Sequence, residues 1–159
     1  MTDLVSRVKR SAMMSAVRGK DTKPEVRVRS ILFREGYRFR LHCRKLPGCP
    51  DLILPRFRIA VFVHGCFWHG HDCKRGSVPE TNTDFWTAKL SANKARDEAN
   101  LLRLLALGWH VSTIWTCKLH LDVETLLALL RSREEAELAN KERRAVQKSG
   151  EGRRPGLHC

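Results

Sequence analysis

Histidine and cysteine are concentrated in one short segment of the chain. Residues 61–73 read Val-Phe-Val-His-Gly-Cys-Phe-Trp-His-Gly-His-Asp-Cys, with three histidines and two cysteines inside ten positions. Thiolate and neutral imidazole are ligands of zinc, and Cys66, His71 and Cys73 can converge on one ion through a tight loop. Cys117, at the end of a later predicted strand, is the best candidate for the fourth ligand. Because four protein ligands leave no open position, the pattern predicts a structural zinc site; an unligated group of buried cysteines with surface histidines is the alternative.

Two further histidines of this segment, His64 and His69, are left for chemistry. An imidazole whose pKa lies near neutrality can take a proton from water or supply one to a leaving oxygen. Either histidine could instead bind the zinc, and the sequence alone does not exclude His69 in place of His71. The spacing therefore predicts a proton-transfer site next to a metal-pinned loop.

A candidate for a second kind of metal site is Asp51, which follows Pro50 at the start of a predicted strand. Magnesium prefers hard oxygen ligands, keeps several waters and often binds one or two carboxylates together with substrate phosphate. An Asx-type turn after the proline is the competing interpretation. A neighbouring strand that ends in His64, on a basic protein, favours the magnesium interpretation.

Aromatic side chains accompany these polar residues. Phe67 and Trp68 stand inside the polar loop, and flat apolar side chains at a rigid loop tip suit insertion between base pairs. Packing around the zinc is the alternative for both. A later segment has four residues at helical spacing, which places them on one face: Trp86, Lys89, Asn93 and Asp97.

The charge of the chain points to a polyanionic partner. Its 159 residues, 42% of them hydrophobic, suit one folded domain, and 30 Lys and Arg against 17 Asp and Glu give a net charge of +13. Residues 131–159 carry only +3 of this, so the basicity belongs to the body of the protein. Nucleic acid is the leading partner; an acidic membrane surface lacks support from any basic amphipathic anchor or transmembrane run.

The cysteines are expected to be reduced, in the cytoplasm. Residues 1–14 lack the continuous apolar stretch of a signal peptide. Close Cys and His spacing in a reducing compartment indicates metal binding rather than disulfides. Cys43 and Cys49 are interpreted as small buried side chains, and Cys159 as a free end.

The elements that position these residues follow from hydrophobic periodicity and turn signals. Thr22, Pro24 and Glu25 predict a helix start with an N-cap and a capping box, and Gly36 predicts its end. The remaining predicted elements are strands over 37–42, 51–54, 59–63 and 109–115, and helices over 4–18 (weak), 84–107 and 122–138. We expect an N-terminal arm over 1–20, a domain over 21–138 and a basic, disordered tail over 139–159. The order of elements predicts an α/β fold with a mixed β-sheet flanked by helices.

Several of these features together resemble the very-short-patch-repair (Vsr) mismatch endonucleases. The resemblance rests on Pro50-Asp51, the block from His64 to His69, the helix start at Thr22 and the late Cys117, and it runs from about residue 8 to 135. It implies a restriction-endonuclease-like fold. It also implies Mg²⁺-dependent hydrolysis of one strand of double-stranded DNA, 5′ to the thymine of a T:G mismatch left by deamination of 5-methylcytosine.

The resemblance also implies roles for individual residues of the catalytic site. Asp51 would bind Mg²⁺ together with the main-chain oxygen of Val63. His69 would be the general base, with His64 supporting the phosphate or the leaving group. Two acidic residues would assist them: Asp97, which would orient a histidine, and Glu25, an auxiliary acid.

DNA recognition follows from the same resemblance. Phe67, Trp68 and Trp86 would wedge into DNA from the major groove, and Met14 on the N-terminal arm from the minor groove. Lys89 and Asn93 would read the wobble pair. The structural Zn²⁺ would be held by four residues: Cys66, His71, Cys73 and Cys117.

Two positions depart from the family pattern. Residue 63, a threonine in some relatives, is Val63 here, which leaves a role for its backbone oxygen unaffected. The second acidic residue and the lysine of the wider nuclease superfamily are absent from residues 61–64, so histidine chemistry must replace them. A monomer in the bacterial cytoplasm near the nucleoid, with mismatch-repair and repair-polymerase partners, is expected. A nuclease of different mismatch or sequence specificity and a non-catalytic zinc-stabilised DNA-binding protein are the rival functions.

Overall fold

The structure, a computed structural model, describes residues 19–150, with side chains to residue 147. Met14 and the weak helix expected over residues 4–18 lie outside this range, as do residues 151–159. Three helices, four strands and one 3-10 turn alternate along the described chain. In order they are α1 (Lys23–Arg34), β1 (Arg40–Leu41), β2 (Leu52–Leu54), the 3-10 turn (Pro55–Phe57), β3 (Ile59–His64), α2 (Thr83–Ala106), β4 (His110–Trp115) and α3 (Leu119–Gly150).

The four strands form one mixed sheet in the order β1-β2-β3-β4. The first three are antiparallel, because short connections join them, while β4 runs parallel to β3 after the crossover through α2. The β3–β4 register pairs Ile59 with His110 and His64 with Trp115, so both strands end at the same level of the sheet. The predicted mixed sheet flanked by helices is therefore confirmed.

The sheet is covered on both faces, which makes three layers. Leu52, Leu54, Ile59 and Val61 point to one face and belong to the core that includes α1 and α3. Alternate strand residues point the other way, where Ile53 and Ala60 pack with Leu104 of α2. The larger core is completed by helix residues: Val28, Leu32, Val123, Leu126 and Leu130.

The predicted start of α1 is confirmed in detail. Thr22 is the N-cap, its Oγ1 accepts a hydrogen bond from the Glu25 N–H, and the Glu25 carboxylate reaches back to the Thr22 N–H. The reciprocal pair satisfies N–H groups that the first helical turn leaves unpaired. Gly36, at φ 86°, follows the helix and accommodates the left-handed turn.

Three expectations about the elements are corrected. The strand expected over 37–42 shrinks to β1, because Tyr37 is buried against Phe57 and its hydroxyl donates to Glu134. The leucine-rich sequence near the end of α2 predicts that all four of its leucines are buried, yet only Leu104 is buried because the sheet contacts a narrow stripe of the helix. The other three remain exposed: Leu101, Leu102 and Leu105.

The third correction concerns the end of the chain. Disorder is expected over residues 139–159, yet α3 continues to Gly150. The added turns are rich in Ala, Glu, Lys, Arg and Gln, residues with high intrinsic helix propensity, and a folded helix precedes them. In the region from 19 to 150, no helix combines the length and the hydropathy needed to cross a membrane.

Candidate active site and metal centre

A cleft of about 770 Å³ opens where β3 ends. Its walls bring together every catalytic residue predicted from the sequence, although these come from five separate elements or loops: Glu25, Asp51, His64, His69 and Asp97. Val63, the predicted backbone ligand, lines the same cleft. Asp51 and His69 therefore face one shared space rather than opposite sides of the molecule.

Asp51 stands just before β2 and is tied to β3. Its Oδ2 accepts a hydrogen bond of 2.7 Å from the Val63 N–H. Burial raises the pKa of the Asp51 carboxyl above its ordinary value, opposed by the Val63 hydrogen bond and reinforced by the nearby charge of Glu25. Among residues 19–150, no Lys or Arg forms an ion pair with Asp51. A half-buried carboxylate without an ion-paired cationic side chain fits a hard divalent cation, which would favour its ionised form.

His69 is oriented by a carboxylate. Its Nδ1 lies 2.6 Å from the Oδ2 of Asp97, which projects from α2. A carboxylate at Nδ1 holds the proton on that nitrogen and leaves Nε2 as the base. This arrangement can accept a proton from a water molecule in the cleft.

His64 stacks on His69. The two ring centroids are 3.6 Å apart and the rings are nearly parallel, at 5°. Burial, and then the adjacent His69, lower the pKa of His64 to about 4. His64 is therefore neutral at pH 7 and can offer an N–H hydrogen bond but not a positive charge.

Glu25 lines the cleft, but its hydrogen-bonding capacity is already used. The residue is 3% exposed. Its Oε2 accepts hydrogen bonds from the Asp21 N–H and from Arg29, and its Oε1 from the backbone and hydroxyl of Thr22. The carboxylate thus supports the start of α1, and any role at the cleft is exerted from that position.

The four predicted zinc ligands converge. Ligand atoms of Cys66, His71, Cys73 and Cys117 all lie within 4.8 Å of one another. Two tight turns close the loop that carries three of them, through the His71 N–H to the Cys66 oxygen and the Cys73 N–H to the His71 oxygen, both at 2.9 Å. Cys117 joins from β4 because that strand ends beside β3, where the Thr116 N–H donates to the His64 oxygen at 3.1 Å.

The chemistry of this donor set fits a thiophilic divalent cation. Burial and the neighbouring thiols of Cys66 and Cys73 raise the pKa of the Cys117 thiol to about 11. Three thiolates this close repel one another, and a cation bonded to all of them removes that repulsion. His71 lies with the three cysteines, while His69 lies with His64 and Asp97, so the geometry favours His71 over His69 as the candidate ligand.

An aromatic cluster lies beside the cleft. The ring of Phe67 meets those of Trp68 and Trp86 edge to face at centroid distances of 5.2 and 5.1 Å. The Lys89 ammonium lies 5.7 Å from the Trp68 ring centroid, and the Asn93 amide donates to the Trp68 carbonyl at 2.9 Å. The prediction that four residues share one face of α2 is confirmed, because all four contact the loop over 65–69: Trp86, Lys89, Asn93 and Asp97. Trp86 is only 9% exposed, whereas Phe67 and Trp68 are half-buried.

Sequence reasoning missed a polar cluster on the Asp51 side of the cleft. Arg29 contacts Asp21, Glu25 and His42 at once. The spacing of Glu25 and Arg29 at i and i+4 on a predicted helix was a signal for one of these contacts. Nothing in the sequence indicated that His42 would reach the same point.

Comparisons with known proteins show which family the chain resembles. A family model described as DNA mismatch endonuclease Vsr matches residues 2–75. The type II nicking enzyme V.XorIIP of Xanthomonas oryzae pv. oryzae is 48% identical over 132 residues, 83% of this chain and 96% of that protein. V.NmeAIP, a type II nicking enzyme of Neisseria meningitidis serogroup A, is 44% identical over 119 residues, 75% of this chain and 85% of that protein.

A relative from Escherichia coli K12 carries the family name itself. This DNA mismatch endonuclease Vsr is 41% identical over 119 residues, which cover 75% of this chain and 76% of the relative. Identity at this level over most of both chains accompanies a shared fold. The chain therefore belongs to the Vsr family of DNA mismatch endonucleases.

Proposed function

We propose that this protein is a Mg²⁺-dependent DNA mismatch endonuclease that nicks one strand of duplex DNA 5′ to the thymine of a T:G mismatch. Family membership supports the class of reaction. The observation that carries the proposal is the cleft shared by the Asp51 carboxylate and the His69–Asp97 pair. One chain supplies all of these groups, which supports a monomer as the active unit.

Asp51 and the main-chain oxygen of Val63 would hold the magnesium ion. In an extended strand the N–H and C=O of one residue point to the same edge, and the Val63 N–H already points to Asp51. When bound, the ion supplies neutralisation of charge on the scissile phosphate and a lowered pKa for water.

His69 is the general base of the proposed reaction. Its Nε2 takes a proton from the attacking water while Asp97 stabilises the imidazolium that forms. The water oxygen bonds to phosphorus, and the bond from phosphorus to the 3′ oxygen of the preceding nucleotide breaks. That oxygen leaves with the bonding pair and takes a proton from solvent.

His64 acts on the phosphate without carrying charge. Because its pKa is lowered to about 4, it donates a neutral N–H hydrogen bond to a phosphate oxygen or to the leaving oxygen. Its stacking on His69 also limits the rotation of the general base.

The aromatic cluster recognises the mismatch by deforming the duplex. Phe67 and Trp68 enter the base stack from the major groove, supported from below by Trp86, and Met14 acts from the minor groove. Unstacking costs a few kcal/mol per step and costs least at a weak pair, which makes the mismatch the preferred site. Lys89 and Asn93 read the wobble pair. One amide N–H of Asn93 holds the Trp68 carbonyl, which leaves its side-chain oxygen and its second N–H for a base.

A strand-specific nicking experiment tests the proposal. Duplexes that differ only in a T:G or a T:A pair are incubated with the protein, with Mg²⁺ or with chelator. We expect nicking of the thymine strand of the T:G duplex in Mg²⁺ and none in chelator. Equal nicking of both duplexes would reject the mismatch specificity, and nicking in chelator would reject the metal.

The non-catalytic alternative is tested at Asp51. Asp51→Ala should abolish nicking while DNA affinity stays within about tenfold, because one metal ligand adds little to many phosphate contacts. Asp84→Ala, at an exposed carboxylate in the first turn of α2, is the matched control and should nick normally. Equal losses of binding and nicking in Asp51→Ala would remove this residue from catalysis.

A different mismatch or sequence specificity is the second candidate function. The relatives from Xanthomonas and Neisseria are named type II nicking enzymes rather than Vsr, and this supports a different sequence specificity as the second candidate. A panel of all mismatches in varied flanking sequence decides between the two. Faster nicking of a mismatch other than T:G would favour the second candidate.

A further inference from the structure

On the Asp51 side of the cleft lies a second group of metal-type donors. Ligand atoms of Asp21, Glu25 and His42 lie within 4.8 Å of one another. Two carboxylates and an imidazole at this separation match the donor types that bind divalent cations. Glu25 and His42 line the same cleft as Asp51, and the His42 N–H donates to the Asp51 backbone oxygen at 3.1 Å.

The guanidinium of Arg29 already occupies the centre of this group. Its Nη1 lies 2.5 Å from the Asp21 Oδ1, and its Nη2 lies 2.9 Å from the Glu25 Oε2. The same Nη2 lies 3.2 Å from the Nε2 of His42. All three donors of the group therefore face one cationic side chain.

Arg29 is held firmly in that place. Its side chain is 13% exposed, and it stands one helical turn after Glu25 on α1, so the backbone directs it at the carboxylate. The planar guanidinium can also bind a carboxylate through two parallel hydrogen bonds, and it remains protonated in proteins. A divalent ion could enter only if the arginine left, since the two cations would repel at this distance.

The arginine also contributes to the charge near Asp51, although burial is the main influence on the pKa of that carboxyl. Glu25 raises the pKa of the Asp51 carboxyl, while His42 and Arg29 lower it. Asp21 and Glu25 are both paired with the guanidinium, which leaves Asp51 as the unpaired carboxylate on this wall.

We propose that Arg29 is a built-in cation that takes the place of a second divalent ion, so that the cleft binds one such ion rather than two. This inference rests on the proposed function, in which Asp51 holds that one ion. Arg29 is a positioning residue: it keeps Glu25 and Asp21 away from the metal and leaves Asp51 as the only carboxylate ligand.

Counting bound manganese tests the inference without relying on activity. The full zinc-loaded chain is titrated with Mn²⁺ and followed by electron paramagnetic resonance, in which zinc is silent. The wild type and Arg29→Lys should bind one Mn²⁺ per chain, and Arg29→Ala one more. Arg29→Gln, which keeps hydrogen bonding without the charge, should also gain an ion and serves if the alanine variant fails to fold. Arg34→Ala, an exposed arginine in the last turn of the same helix, is the matched control and should leave the count unchanged.

A second substitution locates the added ion. Glu25→Gln in the Arg29→Gln background should remove the gained Mn²⁺, whereas Asp51→Asn should remove the other one. Equal counts for the wild type, Arg29→Ala and Arg29→Gln would overturn the inference, as would a wild-type ion that Glu25→Gln removes. If Asp51→Asn leaves the number of bound Mn²⁺ ions unchanged, the proposed role of Asp51 is rejected. The role of Arg29 is still decided, by the difference in bound Mn²⁺ between Arg29→Gln and the wild type.

Discussion

At the residue scale, the stacked pair of His64 and His69 divides two tasks between two identical side chains. His69 faces the Asp97 carboxylate and is half-buried, whereas His64 is buried beneath it. The different surroundings favour a neutral ring at His64 and a ring oriented by a carboxylate at His69. Pairs of titratable groups with opposed environments are typical of acid–base sites.

We expect that loss of the Asp97 charge lowers the turnover rate rather than the affinity for DNA. Asp97→Asn should keep the side-chain volume but lose the charge that stabilises the His69 imidazolium. We expect kcat for nicking to fall by about 10²- to 10⁴-fold with little change in KM. Asp84→Asn on the same helix is the matched control. A normal kcat in Asp97→Asn would show that the His69–Asp97 contact has no catalytic part.

Because the pKa of His64 is lowered, we expect the free energy of unfolding to depend on pH. Its pKa in the folded protein is lowered from 6.5 to about 4, so the unfolded chain binds more protons between these values. The stabilising contribution is complete above pH 6.5 and is lost as the pH falls towards 4, by on the order of 3 kcal/mol.

Denaturant unfolding across this pH range measures the effect. The free energy of unfolding of His64→Gln should decrease less steeply with falling pH than that of the wild type. Both proteins share the cysteine cluster, so its protonation affects both alike and cancels in the comparison. Identical pH slopes would contradict the lowered pKa of His64.

At the element scale, the parallel pairing of β3 with β4 assembles the metal centre. The register places His64 opposite Trp115, so Cys66 and Cys117 each follow two residues later at one edge of the sheet. The loop over 66–73 therefore depends on β4, which lies far along the chain. The same β3 end carries His64 and His69, so a metal bound by the cysteine cluster would brace the proposed active site from one side.

This dependence predicts a combined loss of zinc and stability. Cys117→Ser should lower the zinc content per chain and reduce the free energy of unfolding by on the order of 4 kcal/mol, since a structural zinc contributes folding free energy. Cys49→Ser, at a half-buried cysteine outside the cluster, is the matched control. Metal analysis and thermal unfolding provide the measurements. An unchanged zinc stoichiometry in Cys117→Ser would remove this residue from the ligand set.

At the scale of the whole molecule, a basic body carries the aromatic cluster beside its cleft. The net charge of +13 attracts the phosphate backbone without regard to sequence. Discrimination between base pairs must then come from groups that contact or unstack the bases. Trp68 is half-buried and lies against the buried Trp86, so its ring remains accessible to a base.

Trp68 is accordingly predicted to control specificity more than affinity. Trp68→Ala should reduce the preference for mismatched over matched duplex by roughly tenfold, the loss expected for one base-stacking contact. Competition binding with both duplexes at one salt concentration measures the ratio. Phe33→Ala, an exposed aromatic residue on α1 outside the cluster, is the control and should preserve it. An unaltered ratio in Trp68→Ala would assign Trp68 to packing around the metal centre.

The sequence by itself determined the features that local chemistry controls. The helix start at Thr22, the zinc-type ligands packed into residues 66–73 and the shared face of α2 all depend on residues a few positions apart. For such features the backbone geometry of a turn or a helix leaves little choice. Residue type and predicted strand position also indicated Asp51 and Cys117, whose partners are distant in the chain, and the family resemblance agreed with both.

Only the tertiary structure decided which distant residues became neighbours and which surfaces became buried. The Arg29–His42 contact joins α1 to the segment after β1, and no periodicity indicates it. The leucines near the end of α2 are equally apolar, yet only Leu104 meets the sheet. Burial and long-range contact depend on how elements pack, and packing is a property of the whole chain rather than of any segment.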